Sequence, residues 1–228
     1  MVGWWKLDEA SGNAIDSSGQ GNTGTPTGTT IVNNCARGRC RQFNGSSDYV
    51  NIGNVSALKV TGALTITAWV KYSNLTGAAE VIASKYDALS NQRGYLLSVD
   101  TSGKLTFNIQ ASLSLFDATS VVTSTSAWNN GNWHNVVGVY LPSAQLRIYV
   151  DGVLASGDAA TIPASIANPT ALFFIGAINQ STASQFFSGN IDDVRVYNRV
   201  LSAQEIKDLY SAGIKLGTGK IGQARMNF

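Results

Sequence analysis

Apolar and polar residues alternate along most of this chain. Leu64, Ile66, Ala68 and Val70 interleave with Thr65, Thr67, Trp69 and Lys71, a period of two that predicts a strand with one strongly apolar face. The same pattern marks Tyr95–Val99, Lys104–Ile109, Trp133–Tyr140, Gln145–Val150, Ala171–Gly176 and Asn190–Tyr197. Turn formers separate these runs: Thr101-Ser102-Gly103, Asn129-Asn130-Gly131, Leu141-Pro142-Ser143 and Asp151-Gly152. The Asp-Gly pair between Ile148-Tyr149-Val150 and Val153-Leu154 predicts a two-residue hairpin, because both residues tolerate positive φ. The expected core includes Leu64, Ile66, Ala68, Val70, Val137, Val139, Ile148, Val150, Ile191, Val194 and Val196.

One segment changes period. Ser202-Ala203-Gln204-Glu205 forms a capping box, and Ile206, Leu209 and Tyr210 follow at helical spacing. Gly213 is the expected C′ residue, so a short helix is predicted over Ser202–Ala212. Many short strands and one helix leave no room for βαβ units. The expected fold is therefore all-β: an antiparallel two-sheet jelly-roll sandwich over residues 1–213. Residues 214–228 are expected to be a tail or linker. Within it, Gly219-Lys220 through Phe228 resembles Arg37-Gly38 through Phe43 in its glycine, basic residue and closing Phe.

Composition fits this reading. The chain has 228 residues, enough for one large all-β domain. Only 13% are charged and 44% are hydrophobic, which excludes disorder. The net charge of +2 and scattered basic residues argue against nucleic acid. The densest group, Arg37, Arg39 and Arg41, reads as a solvated loop. No run of about 18 uncharged apolar residues is present, so no membrane insertion is expected. Met1 leads directly into Val2-Gly3-Trp4-Trp5, which reads as a domain taken from a larger multidomain protein.

The two cysteines, Cys35 and Cys40, flank Ala36-Arg37-Gly38-Arg39. Two thiols cannot complete a four-ligand zinc site. They are either free or joined in a local disulfide on a surface loop. The expectation taken is the disulfide, which implies an oxidising compartment.

Several segments occur in a telling order: Val2-Gly3-Trp4-Trp5-Lys6-Leu7-Asp8-Glu9, Asp16-Ser17-Ser18-Gly19-Gln20-Gly21-Asn22, Phe43-Asn44-Gly45-Ser46-Ser47-Asp48-Tyr49-Val50, and Leu64 to Val70. Trp133 to Tyr140, Leu146 to Gly152, and Gly189 to Ser202 complete the series. Together they resemble the laminin G-like domains of the concanavalin A-like lectin/glucanase superfamily, from Val2 to about Gly213. The resemblance implies two packed antiparallel sheets, often as a repeated unit of secreted or surface proteins or appended to carbohydrate-active enzymes. Localisation is expected to be extracellular or at the cell surface, and the partner a glycan or a cell-surface ligand.

Enzymatic sets known in this superfamily do not match. A retaining glucanase strand carries Glu-x-Asp-x-x-Glu, whereas Glu9, Glu80 and Glu205 are scattered and Glu205 caps the helix. The single histidine, His134, has no nucleophile elbow to serve and reads as a polar strand residue. The expectation is a non-catalytic binding or adhesion module, with a protein-binding repeat as the alternative and a glycan hydrolase or lyase ranked below both.

Two kinds of site are expected. The resemblance implies a structural Ca²⁺ near the terminal strands, with Asp16, Asn22 and one of Asp192 and Asp193 as ligands. The competing reading makes Asp16 and Asn22 turn formers. For a sugar, Trp128 with Asn129 and Asn130 is the first candidate, a loop indole among amides, against packing beneath the loop. The loop from Tyr86 to Arg93 is the second candidate rim.

Overall fold

Alternation and turn chemistry decide the path of the chain. The computed structural model describes residues 1–72, 77–87, 89–113, 118–122, 128–180 and 182–217. In chain order the strands are β1 Gly3–Trp5, β2 Thr25–Thr27, β3 Thr30–Cys35, β4 Gly38–Asn44, β5 Tyr49–Gly53, β6 Leu64–Lys71, β7 Glu80–Asp87 and β8 Gln92–Val99. There follow β9 Leu105–Gln110, β10 Ala118–Val122, β11 Trp133–Leu141, β12 Gln145–Val150, β13 Val153–Leu154 and β14 Phe173–Ile175. Last come β15 Ile178–Gln180, β16 Thr182–Ser184, β17 Ser188–Tyr197 and the helix α1, Ala203–Gly217.

The strands form two large antiparallel sheets, a sandwich of jelly-roll type. One has the order β13-β12-β11-β6-β17-β4-β3, with β1 also paired to β17; the other is β10-β9-β8-β7-β14-β5-β2. Hairpin β15–β16 stands apart. Between the sheets, Leu64, Ile66, Ala68 and Val70 of β6 join one core with Tyr95, Leu97 and Val99 of β8, Phe107 of β9, and Phe173 and Ile175 of β14. Each Val, Leu, Ile or Phe side chain among them contributes about 1.5–3 kcal/mol by leaving water.

All eleven expected core residues are buried, but not all between the sheets. Val137 and Val139 face the other way and form a second cluster with Tyr149, Tyr197, Leu201 and Ile206. Helix α1 is the reason: it covers the outer face of the larger sheet. β6 is consequently buried on both faces from Leu64 to Val70.

The capping box forms as expected. The Glu205 amide donates to Ser202 Oγ at 3.2 Å, and the Ser202 amide donates to Glu205 Oε2 at 2.8 Å. The C-terminal expectation is corrected, because α1 continues through Gly213 to Gly217. Gly213 is not a cap. A Cβ there would stand 2.2 Å from Trp69 Cζ2, so the glycine lets the helix lie against the indole. The sequence match at Gly219–Phe228 lies outside the described residues.

Cys35 and Cys40 are joined in a disulfide, with Cα atoms 5.7 Å apart. It does not sit on a surface loop. It staples the β3–β4 hairpin, and Cys40 is wholly buried. Of the neighbouring arginines, Arg39 is exposed as expected, whereas Arg37 and Arg41 are not solvated. Arg41 is 2% exposed and donates to Gly12 O at 2.6 Å and Thr29 Oγ1 at 3.0 Å. Arg37 pairs with Asp193 at 3.0 Å. The hairpin Asp151-Gly152 forms with φ of 52° and 79°, as its residues require.

Candidate functional site

Trp128 is partly buried, and its ring meets that of His134 edge to face at 5.4 Å. His134 is held on both sides: Nδ1 lies 2.7 Å from Asp151 Oδ2 and Nε2 lies 3.1 Å from Asn130 Oδ1. Asn130 Oδ1 also accepts from the Asn132 amide at 2.9 Å. These contacts fix the His134 ring beside the indole. Two of its buried polar atoms have no partner: Trp128 Nε1, a donor, and Asn129 Oδ1, an acceptor. Unpaired buried polar atoms are costly, so such a pair marks a place where a hydroxyl or water belongs. Residues 123–127 of the same loop lie outside the described residues.

The second rim is built differently. Arg93 is 1% exposed, with Nη1 donating to Asn91 Oδ1 at 2.8 Å and Leu113 O at 2.9 Å. Its guanidinium lies 6.0 Å from the Tyr86 ring centroid, so the two side chains brace the β7–β8 hairpin. Leu89 at the hairpin tip is 69% exposed. The two rims do not meet. The Gly131 amide donates to Tyr72 O, and Tyr72 Oη donates to Gly103 O in the turn after β8, whereas Arg93 opens β8. Trp128 and Arg93 thus belong to opposite ends of the sandwich.

A third surface was not singled out in the sequence. On the outer face of the seven-stranded sheet, register places Asn51, Phe174, Ser84, Leu96 and Asn108 in one row. Tyr49 stacks on Phe174 at 4.9 Å and lies 6.5 Å from Phe186. The row holds amide, hydroxyl and aromatic groups and no ionised side chain. The alternation of Tyr49 with Val50 carries part of this signal, but Ser84 and Phe174 in the row are buried, which only the packing decides.

The candidate calcium ligands Asp16 and Asp193 both bond to Trp4, through its amide and its indole respectively. Asp16 Oδ1 accepts from the amides of Trp4 at 3.0 Å and Ser18 at 2.8 Å, and Oδ2 from the amide of Asn22 at 2.9 Å. Burial pushes the Asp16 pKa up, but the bonds from Ser18, Asn22 and Trp4 outweigh it and hold it below the ordinary value. Asn22 donates to Val2 O at 3.0 Å and accepts from Trp5 Nε1 at 2.8 Å, clasping β1. Asp193 is engaged by Arg37, by Arg195 at 2.9 Å and by Trp4 Nε1.

Asp192 does not share that arrangement. A bulge between Asp192 and Arg195 breaks strict alternation, and Asp193 adopts φ of 48°. Asp192 is 0% exposed; Oδ2 accepts from the Arg37 amide at 2.7 Å and Oδ1 has no partner. Burial pushes its pKa up to about 8, with the Asp193 and Asp8 carboxylates adding to the rise against the Arg37 amide. Among the described residues, no group of three or more His, Cys, Asp or Glu is arranged to hold a metal ion. In this arrangement three amide hydrogens bind the Asp16 oxygens and two guanidinium groups face Asp193, whereas Asp192 Oδ1 has no partner. Asp16→Ala is accordingly expected to lower the melting temperature equally in EDTA and in millimolar Ca²⁺, through loss of three amide bonds at about 1 kcal/mol each. A drop seen only with Ca²⁺ present would restore the metal reading.

A family model described as the concanavalin A-like lectin/glucanases superfamily, of the laminin G type, matches residues 44–207. The chain belongs to this superfamily. No curated protein sequence matches it. Solved structures of similar fold include the binding domain of Paraclostridial Mosquitocidal Protein 1, at 15% identity and TM-score 0.74, covering 92% of this chain and 52% of that one. The botulinum neurotoxin serotype G binding domain is similar at 17% identity and TM-score 0.68, covering 92% and 50%. The Trypanosoma rangeli sialidase with 2,3-difluorosialic acid is similar at 18% identity and TM-score 0.69, covering 97% and 33%. At these identities the likeness is one of fold. The laminin G-like chain spans about half of each toxin chain and a third of the sialidase chain. Superfamily membership explains the two-sheet frame.

Proposed function

We propose that this chain is a non-catalytic, extracellular glycan-binding module whose primary contact is the Trp128 loop. The observation that carries the reading is the unpartnered pair Trp128 Nε1 and Asn129 Oδ1 beside a partly exposed indole braced by His134. A sugar offers what that pair lacks: hydroxyls that both donate and accept, and C–H faces that pack on an indole. The disulfide supports an oxidising compartment. Two of the solved structures of similar fold are binding domains, which agrees with a binding role.

The non-catalytic part rests on how the acid–base groups are used. Glu80 is buried and accepts from the Ser188 amide, Glu9 accepts from the Ile15 amide, and Glu205 caps α1. His134 is engaged by Asp151 and Asn130. These contacts serve structure, and the glutamates lie on three unrelated segments.

A glycan array probed with the intact chain tests the reading. Binding to at least one glycan class is expected. Trp128→Ala should weaken it tenfold or more, equivalent to about 1.4 kcal/mol, with the melting temperature little changed. An array without signal, or a bound glycan indifferent to Trp128→Ala, would overturn the assignment of this site. Release of product from β-glucans or alginate would overturn the non-catalytic part.

A further inference from the structure

We propose that the open edge of β13, together with the flank of α1, forms a groove for an extended peptide strand of a partner protein. It does not rest on the glycan reading, although Asp151 of the turn beside this groove also holds His134. β13 is the last strand on its side of the larger sheet. It joins β12 through the two-residue Asp151-Gly152 turn, with Val150 opposite Val153 and Tyr149 opposite Leu154. In such a hairpin the pair next to the turn exchanges hydrogen bonds, and the following pair does not. The Ala155 amide then returns to Ile148 O at 2.9 Å. The amide and carbonyl of Leu154 therefore point away from β12, out of the sheet edge.

Natural edges are usually blunted by charge, proline or a covering element. This one carries Val153 and Leu154, which are 68% and 46% exposed. A groove of about 500 Å³ runs beside it, lined by Tyr149, Leu154, Ala203, Lys207 and Tyr210 among others. The helical residues fall at i, i+4 and i+7, one face of α1. The helix comes this near because position 152 has no side chain: a Cβ there would lie 3.2 Å from Lys207 Cα.

The chemistry selects the occupant. An outward amide and carbonyl pair with an extended backbone, as in strand addition to a sheet edge. An acyl chain would leave them unpaired, and a sugar could bond them but has no backbone repeat to continue the ladder. The Tyr149–Leu154 surface takes an aliphatic side chain, and the exposed Lys207 ammonium on the helix takes a carboxylate. A second copy is the weaker fit, since two strand residues bury too little for a stable symmetric interface.

The test pans a phage-displayed library of random twelve-residue peptides on the intact chain, with the Leu154→Lys variant as counter-target. Enriched peptides should share an aliphatic residue followed at a fixed spacing by Asp or Glu. Synthetic copies should bind at least tenfold more weakly to Leu154→Lys and to Lys207→Glu, and equally to wild type and Trp128→Ala. Both variants alter exposed side chains, and thermal melts verify that each folds; should one fail to fold, the other still decides. No enrichment, or enriched peptides that bind both variants as well as wild type, would overturn the proposal. So would a concentration-dependent dimer in sedimentation that Leu154→Lys abolishes, which would make a second copy the occupant. Loss of glycan binding in Trp128→Ala bears on the other site alone.

Discussion

Asp192→Asn should stabilise the protein at pH 8, by roughly 5–10 °C in melting temperature, with the gain shrinking to little at pH 4. Asp192 is buried beneath the Arg37 amide with one oxygen unpartnered, and its pKa is pushed from 3.8 up to about 8, first by burial and then by the Asp193 and Asp8 carboxylates. The folded protein therefore holds this proton more tightly than the unfolded chain. The stability contributed by protonation is complete below about pH 4 and is lost as pH rises toward 8, at up to about 1.4 kcal/mol per unit. Asparagine keeps the acceptor for the Arg37 amide and cannot ionise. Melts across pH 4 to 8 in EDTA should show wild type declining more steeply than the variant. Parallel profiles would mean that Asp192 finds a partner for its charge in solution.

The second large effect reverses a general rule. Replacing a mid-helix glycine by alanine ordinarily adds up to about 1 kcal/mol of stability. Gly213→Ala should instead remove roughly 1–3 kcal/mol, the cost of overpacking. The new Cβ would fall 2.2 Å from Trp69 Cζ2, and the indole cannot retreat. It is 4% exposed and stacked on Tyr210 at 5.7 Å. The far end of α1 must lift, loosening its cover over Val137 and Tyr197. Chemical denaturation and the near-UV circular dichroism of the tryptophans should report both changes. An Asp192→Asn profile left intact in Gly213→Ala would show that the damage stays local to the helix. A Gly213→Ala midpoint at or above wild type would show that the Trp69 contact yields easily.

Local chemistry made much of this molecule legible. Period-two runs placed β6, β11, β12 and β17 because one face of each strand must leave water, and that demand is written residue by residue. The Asp151-Gly152 turn and the Ser202–Glu205 cap were readable because each is decided by neighbours within four positions. The Cys35–Cys40 pairing was open to the same short-range reasoning.

What remained hidden depends on groups far apart in the chain. Gly213 looks like a helix end until Trp69 arrives against it, 144 residues earlier in sequence. Val137 and Val139 alternate like any core strand residues, yet a helix, and not the opposite sheet, covers them. Asp16 offers oxygens of the kind a cation wants, but that the amides of Trp4, Ser18 and Asn22 bond to them depends on how the loop packs on β1. Trp128 and Arg93 both looked like rim residues, and only the course of β8 separates them to opposite ends. The sequence by itself determined which residues are strand, turn, cap and apolar face, because those choices rest on backbone sterics and local hydrogen bonds. Tertiary structure alone decided which polar faces are covered, which charges are paired and which edge stays open, because burial and pairing are set by partners that only packing brings together.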